Sequence, residues 1–263
     1  MDLHLRDKVA IIGGASQGIG FGVARTLAEE GVKVVITARR EAALTAAAER
    51  IRKQTGAQVL SIPSDVRKAE DCERVVESTL KAFGRIDILV NNDGAPPLGK
   101  IEDFDDVAWQ KAIEQNMFSV IRMVRKVVPH MRAGGYGRII NVTSVSTRQP
   151  LVGLGLSVAT WAGVLAYAKT LSLELGSAGI TVNTICPGRV DTGRLEVVVR
   201  KRAEQEGHDP DKMMREILDE VPVGRLGTPD DVAGMVALLV SPRGSFITGT
   251  AIQVDGGLLR GVY

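Results

Sequence analysis

Aromatic side chains are scarce in this 263-residue chain: two Trp, three Tyr and five Phe make up 4% of it. So few rings cannot furnish the stacking platform on which single-stranded nucleic acid is held. An excess of one charge is also missing. Thirty-three Lys and Arg stand against 31 Asp and Glu, a net charge of +2, and the cations are scattered among acids rather than gathered into a phosphate-tracking stripe. No nucleic-acid partner is expected. The two cysteines, Cys72 and Cys186, are too few for a disulfide framework and lack metal-ligand spacing, so no metal site is expected and a reducing, cytoplasmic setting fits. No apolar run approaches the roughly 20 residues that cross a bilayer, and "MDLHLRDKVAII" carries no signal-peptide core, so the expectation is a soluble chain without a membrane partner. Nothing reads as a linker, which makes residues 1–263 a single domain.

What is present is a regular alternation. The β-branched runs "KVAIIG", "KVVITA", "AQVLSI", "DILVNN", "GRIINVTS", "ITVNTIC" and "TAIQVDGG" are separated by longer segments of helical period. Strands apolar throughout, each followed by a helix, predict an α/β fold with a doubly wound, parallel, Rossmann-type sheet covered on both faces. Ligands then bind at the carboxyl ends of the strands. One segment breaks the rhythm: residues 189–227, a charged helical stretch between the sixth and seventh strands, which is expected to cover a substrate site.

"VAIIGGASQGIGFG" runs from a strand into a Gly-rich turn and then a helix, with Gly14, Gly18 and Gly20 spaced GxxxGxG around Ser16, Gln17 and Ile19. Glycines there let backbone N–H groups approach a pyrophosphate at the positive end of the helix, so this loop predicts dinucleotide binding. At the end of the second strand, where an acid would accept from the 2′-OH of NAD, the run is "VVITARRE". Arg39 and Arg40 instead offer guanidinium groups suited to a 2′-phosphate, favouring NADP(H) over NAD(H).

From Lys8 to Gly257 the chain resembles the short-chain dehydrogenase/reductase family, in particular its 3-oxoacyl-(acyl carrier protein) reductase-like members. "GGASQGIG" matches TGxxxGIG, Asp65 and Val66 match the adenine contact, and "NNDG", with Asn92 and Gly94, matches NNAG. Asn116 in "EQNMFSV", Ser144 in "GRIINVTS", "PGRVDT" with Pro187, Gly188, Val190 and Thr192, and the closing "VDGG" follow in order. The resemblance implies that these loop residues hold the dinucleotide, and that catalysis uses an Asn, Ser, Tyr and Lys. In such enzymes Ser holds the carbonyl, Tyr moves the proton, Lys lowers the Tyr pKa and grips the nicotinamide ribose, and Asn supports a relay water.

Asn116 and Ser144 occupy their places, but in "GLGLSVATWAGV" the Tyr position is Ser157 and the Lys position is Trp161. An aliphatic hydroxyl is far less acidic than a phenol, and an indole offers one donor and no charge. Tyr167 and Lys169 lie about 15 Å further along the same helix, too far to substitute. Tyr136, at the amino end of a strand, reads as structural, and His208 as an exposed loop residue. Two further departures stand out: Asp93 in place of the small Ala of NNAG, and Arg148, beyond Ser144, as a candidate for a substrate carboxylate or phosphate. Gln17 stands where many NADP-using relatives carry an Arg. The expectation is an NADP(H)-dependent oxidoreductase acting on a carbonyl, alcohol or acyl-thioester substrate with altered proton transfer. The alternative is a catalytically inactive dinucleotide-binding sensor or partner subunit. The resemblance also implies a homotetramer, with a homodimer second.

Overall fold

The computed structural model describes residues 1–94 and 96–261. Among them, β1 (Val9–Ile12), β2 (Lys33–Ala38), β3 (Val59–Pro63), β4 (Ile88–Asn91), β5 (Gly137–Val142), β6 (Ile180–Pro187) and β7 (Ala251–Val254) form one sheet in the order β3-β2-β1-β4-β5-β6-β7. Every pairing is parallel, with Ile12 opposite both Ile36 and Val90. The chain reverses its direction of travel across the sheet between β1 and β4, and at that switch the crossovers leave a crevice open beyond the strand ends.

Successive residues of a strand point to opposite faces, and the core divides accordingly. Ala10, Ile12 and Ile140 pack with α1 (Gly18–Glu29), α2 (Glu41–Thr55) and α9 (Pro229–Val240). Ile11 and Ile139 pack with α3 (Ala69–Phe83), α5 (Ser119–Gly134) and α6 (Gly155–Leu175). Burial on both faces is why the strands read as unbroken apolar runs. The start of α9 is fixed by a capping box: Thr228 N donates to Asp231 Oδ2 at 2.7 Å, and Asp231 N donates back to Thr228 Oγ1 at 3.3 Å.

The residues that break the alternation form α7 (Gly193–Glu206) and α8 (Pro210–Asp219), a helix pair with its own small core of Leu195, Val199, Ala203, Met213 and Ile217. Its ends are tied together. Val190 bridges Gly227, and Glu220 accepts from Arg189 at 2.6 Å and from Arg202 at 2.9 Å. Between β4 and β5 the short α4 (Asp106–Ile113) runs into a π-helical turn, Glu114–Phe118, before α5 begins.

Candidate active site

The β1–α1 turn lies at the switch point. Gly14 has φ +59°, and a Cβ there would stand 2.1 Å from the Asn92 carbonyl oxygen; one on Gly20 would stand 2.6 Å from Asn92 Nδ2. The turn and the "NNDG" segment are thus pressed together backbone to backbone, and only glycine permits it. Gln17 takes the N-cap position of α1 and makes no side-chain capping bond, so the first N–H groups of the helix remain free for an anion. Opposite, Thr192 Cγ2 lies 3.3 Å from where a Gly18 Cβ would be, which brings the "PGRVDT" segment over the same turn. A cradle that a side chain would fill, at an uncapped helix end, fits a dinucleotide pyrophosphate.

Arg39 and Arg40 are exposed just after β2, and Arg40 donates to Gln17 Oε1 at 3.2 Å. Gln17 therefore anchors the second arginine at the mouth of the cradle. Asp65, expected to face adenine beside Val66, has its carboxylate engaged by Arg67, whose Nε donates at 2.8 Å. That guanidinium holds the Asp65 pKa below the usual carboxylate range.

The second half of the site is built on β5, α6 and the π-helical turn. Ser144 begins a 3-10 turn, Val145–Thr147, and its Oγ accepts from Ser146 N at 3.1 Å and Ser146 Oγ at 3.0 Å. Its lone pairs are occupied while its own proton is free to donate. The extra residue of the π turn swings Asn116 inward, where it is 2% exposed and donates from Nδ2 to Thr160 Oγ1 at 2.9 Å. Asn116 Oδ1 has no hydrogen-bond partner among the described residues. Thr160 was not singled out by the sequence; its neighbour Trp161 was the only local signal.

Ser157 and Trp161 sit one turn apart on α6. Ser157 is 1% exposed, and its Oγ has no hydrogen-bond partner among the described residues, so it is a buried hydroxyl rather than a proton donor held against the crevice. Trp161 packs against the α3–α5–α6 core and lines a cavity of about 10 Å³ together with Asp93, Asn116, Asn141 and Thr143. The loop ahead of α4 closes over the start of α6, with Gly99 N donating to Gly153 O at 3.0 Å. Arg194 of α7 reaches the same loop, donating to Pro96 O at 3.2 Å.

Arg148 does not join this cavity. It follows the 3-10 turn after Ser144 and lines a separate groove of about 330 Å³ with Leu165, Lys169, Thr184 and Thr250, further along α6. Lys169 is likewise remote from Trp161. The Tyr167 phenol is half-buried and burial pushes its pKa up, the wrong direction for a proton donor near neutrality. Tyr136 donates to Val240 O at 2.6 Å with its ring between Lys8 and Arg138, a structural post. His208, with Glu206 and Glu216, makes an acidic cluster already occupied by Arg202 and Lys212.

Residues 14–259 match the sequence family described as enoyl-(acyl carrier protein) reductase. The 3-oxoacyl-(acyl-carrier-protein) reductase of Vibrio cholerae is 34% identical over 256 residues, covering 97% of this chain and 99% of that protein. Dehydrogenase/reductase SDR family member 4 of Oryctolagus cuniculus is 34% identical over 254 residues, covering 96% and 94%. Among solved structures, L-sorbose reductase from Gluconobacter frateurii complexed with NADPH and L-sorbose superposes with a TM-score of 0.94 at 35% identity, covering all of both chains. A variant of actinorhodin polyketide ketoreductase with NADPH gives 0.93 at 34% identity, covering 97% and 98%.

Proposed function

The chain belongs to the short-chain dehydrogenase/reductase family of oxidoreductases, and from that premise we propose that it binds NADP(H) in preference to NAD(H) and reduces a carbonyl substrate without a Tyr–Lys pair. The observation that carries this reading is the cradle at Gly14, pressed onto Asn92 beside the uncapped start of α1. Gly14 to Gly20 would hold the pyrophosphate, Arg39 and Arg40 a 2′-phosphate, and the Pro187–Thr192 segment the nicotinamide end. When bound, the cofactor supplies the hydride. Ser144 donates its hydroxyl proton to the substrate oxygen in a hydrogen bond, a role its two bonds from Ser146 prepare. Asn116 lines the same small cavity as Trp161. With no phenol or ammonium at 157 and 161, the proton that completes an alcohol comes from water rather than from an activated side chain, at a cost in rate.

The L-sorbose and ketoacyl substrates of the relatives support a small carbonyl compound or an acyl thioester as substrate class. The helix pair α7–α8, whose Arg194 reaches Pro96, serves as its cover. A homotetramer in the cytoplasm fits the family; among the described residues no helix is long and apolar enough to cross a membrane. The second reading, a dinucleotide-binding sensor or partner subunit without turnover, is favoured by the buried, unpartnered Ser157.

Titration with NADPH and NADH by nicotinamide fluorescence, followed by turnover on a carbonyl panel that includes acetoacetyl thioesters, separates the two. NADPH binding with turnover that Ser144→Ala abolishes is the expected result. Binding without turnover selects the sensor, and no binding of either dinucleotide overturns both.

A further inference from the structure

The "GGASQGIG" and "NNDG" segments depart from TGxxxGIG and NNAG at one position each, Gly13 for Thr and Asp93 for Ala, and the two departures meet in space. A Cβ on Gly13 would stand 2.1 Å from Asp93 Oδ2 and 2.9 Å from its carboxyl carbon. The volume a side chain at 13 would use is filled by the Asp93 carboxyl. Gly13 has no positive φ to explain it, so its reason is space. The carboxyl also lies beside the Gly14 N–H, and Asp93 borders two cavities of about 10 Å³ each: one lined by Thr37, Ser64 and Val66, the other by Asn116, Asn141 and Trp161.

We propose that Gly13 and Asp93 are a matched pair, in which the Asp93 carboxyl braces the dinucleotide turn at Gly13, making Asp93 a positioning residue whose ionisation weakens NADP(H) binding. The proposal rests on the dinucleotide reading above. Its physical basis is the site of the charge. A half-buried anion beside the turn that receives a pyrophosphate opposes it through a medium that screens less than bulk water, whereas the neutral acid does not. The groups facing the carboxyl are Arg39 after β2, Asp65 after β3, the Gly14 N–H and, from α3, Cys72, a thiol that burial pushes up to about 11. Arg39 and the N–H favour the anion, Asp65 opposes it, and burial outweighs them all, raising the Asp93 pKa to about 7. Ionisation therefore falls within the working range of a cytoplasm.

The sign follows. Below about pH 7 the carboxyl is neutral in both free and bound protein, and affinity does not depend on it. Above that value binding must also take up a proton, so the Kd rises, by up to about tenfold per pH unit. Stability without cofactor moves the same way. The neutral form's advantage is complete below the ordinary carboxyl value of 3.8 and is lost as pH rises through about 7.

The test measures NADPH and NADH dissociation constants and Tm across this range for the wild type, Asp93→Asn, Asp93→Ala, Gly13→Thr and the double variant Gly13→Thr/Asp93→Ala. NADH serves as a control because the 2′-phosphate of NADPH itself titrates at about pH 6. Gly13→Thr alone is expected to lower Tm and weaken NADPH at least about tenfold, and Asp93→Ala added to it to restore both. Asp93→Asn, which keeps the shape, is expected to keep neutral-pH binding and remove the alkaline rise in Kd. Additive losses in the double variant, or an alkaline rise that survives Asp93→Asn, overturn the proposal. A wild type that binds neither dinucleotide overturns the cradle reading and the affinity half of the proposal with it. The Tm cycle reads the pair in either case.

Discussion

The two ends of the crevice are built from different materials. The dinucleotide end is backbone: Gly14 and Gly20 lie so close to Asn92 that no side chain fits, and the helix N-terminus offers N–H groups no substitution removes. The proton-transfer end is side chain: Ser144 and Asn116 are held by Ser146 and Thr160, but the two positions on α6 that would supply acid and ammonium carry Ser157 and Trp161. Both α6 residues are accommodated without disturbing the helix, one buried with no hydrogen-bond partner among the described residues and one packed into the core. On the proposed reading, binding and proton transfer are therefore separable in this fold. A change at the backbone end removes the site, while a change at the side-chain end removes a step.

The largest effect that sharpens this contrast is expected from Gly14→Ala. A Cβ overlapping the Asn92 carbonyl at φ +59° is expected to cost about 3 kcal/mol of stability and to abolish NADPH binding, checked by calorimetry and fluorescence titration. Next comes the attempt to break it. Ser157→Tyr/Trp161→Lys supplies the missing acid and cation, and turnover is expected to rise about a hundredfold, with about 1–3 kcal/mol of stability lost to overpacking at a position that is 1% exposed. A double variant that folds and binds NADPH yet turns over no faster would place the defect elsewhere. Arg39→Ala is expected to weaken NADPH about tenfold and leave NADH unchanged, since one exposed charged hydrogen bond is worth about that much. The smallest effect belongs to Ser157→Ala. Removing an unpartnered buried hydroxyl leaves turnover unchanged and stability equal or higher by about 1 kcal/mol.

How much of this was legible differs between the same two ends. The glycine spacing in "GGASQGIG" named the cradle, because a requirement on backbone volume is written as a residue type. The absent Tyr and Lys were equally plain in "GLGLSVATW". Where Arg148 lies was not legible: a residue four positions beyond Ser144 reads as neighbouring the substrate, and after the 3-10 turn it lines the groove shared with Lys169. Thr160 went unnoticed because its bond to Asn116 depends on a π turn, an insertion into a helix that no periodicity announces.

By itself the sequence determined the seven strands, the parallel sheet and its two covered faces, because burial on both sides forces apolar composition at every strand position. It also determined which chemical groups are present at positions 144, 157 and 161. Only the tertiary structure decided which distant groups meet: that Asp93 fills the space beside Gly13 and that Asn116 is claimed by Thr160. Composition is a property of single positions. Contact between residues 80 positions apart is set by the register of strands and the close packing of helices on them, where a shift of one residue would face each side chain the other way.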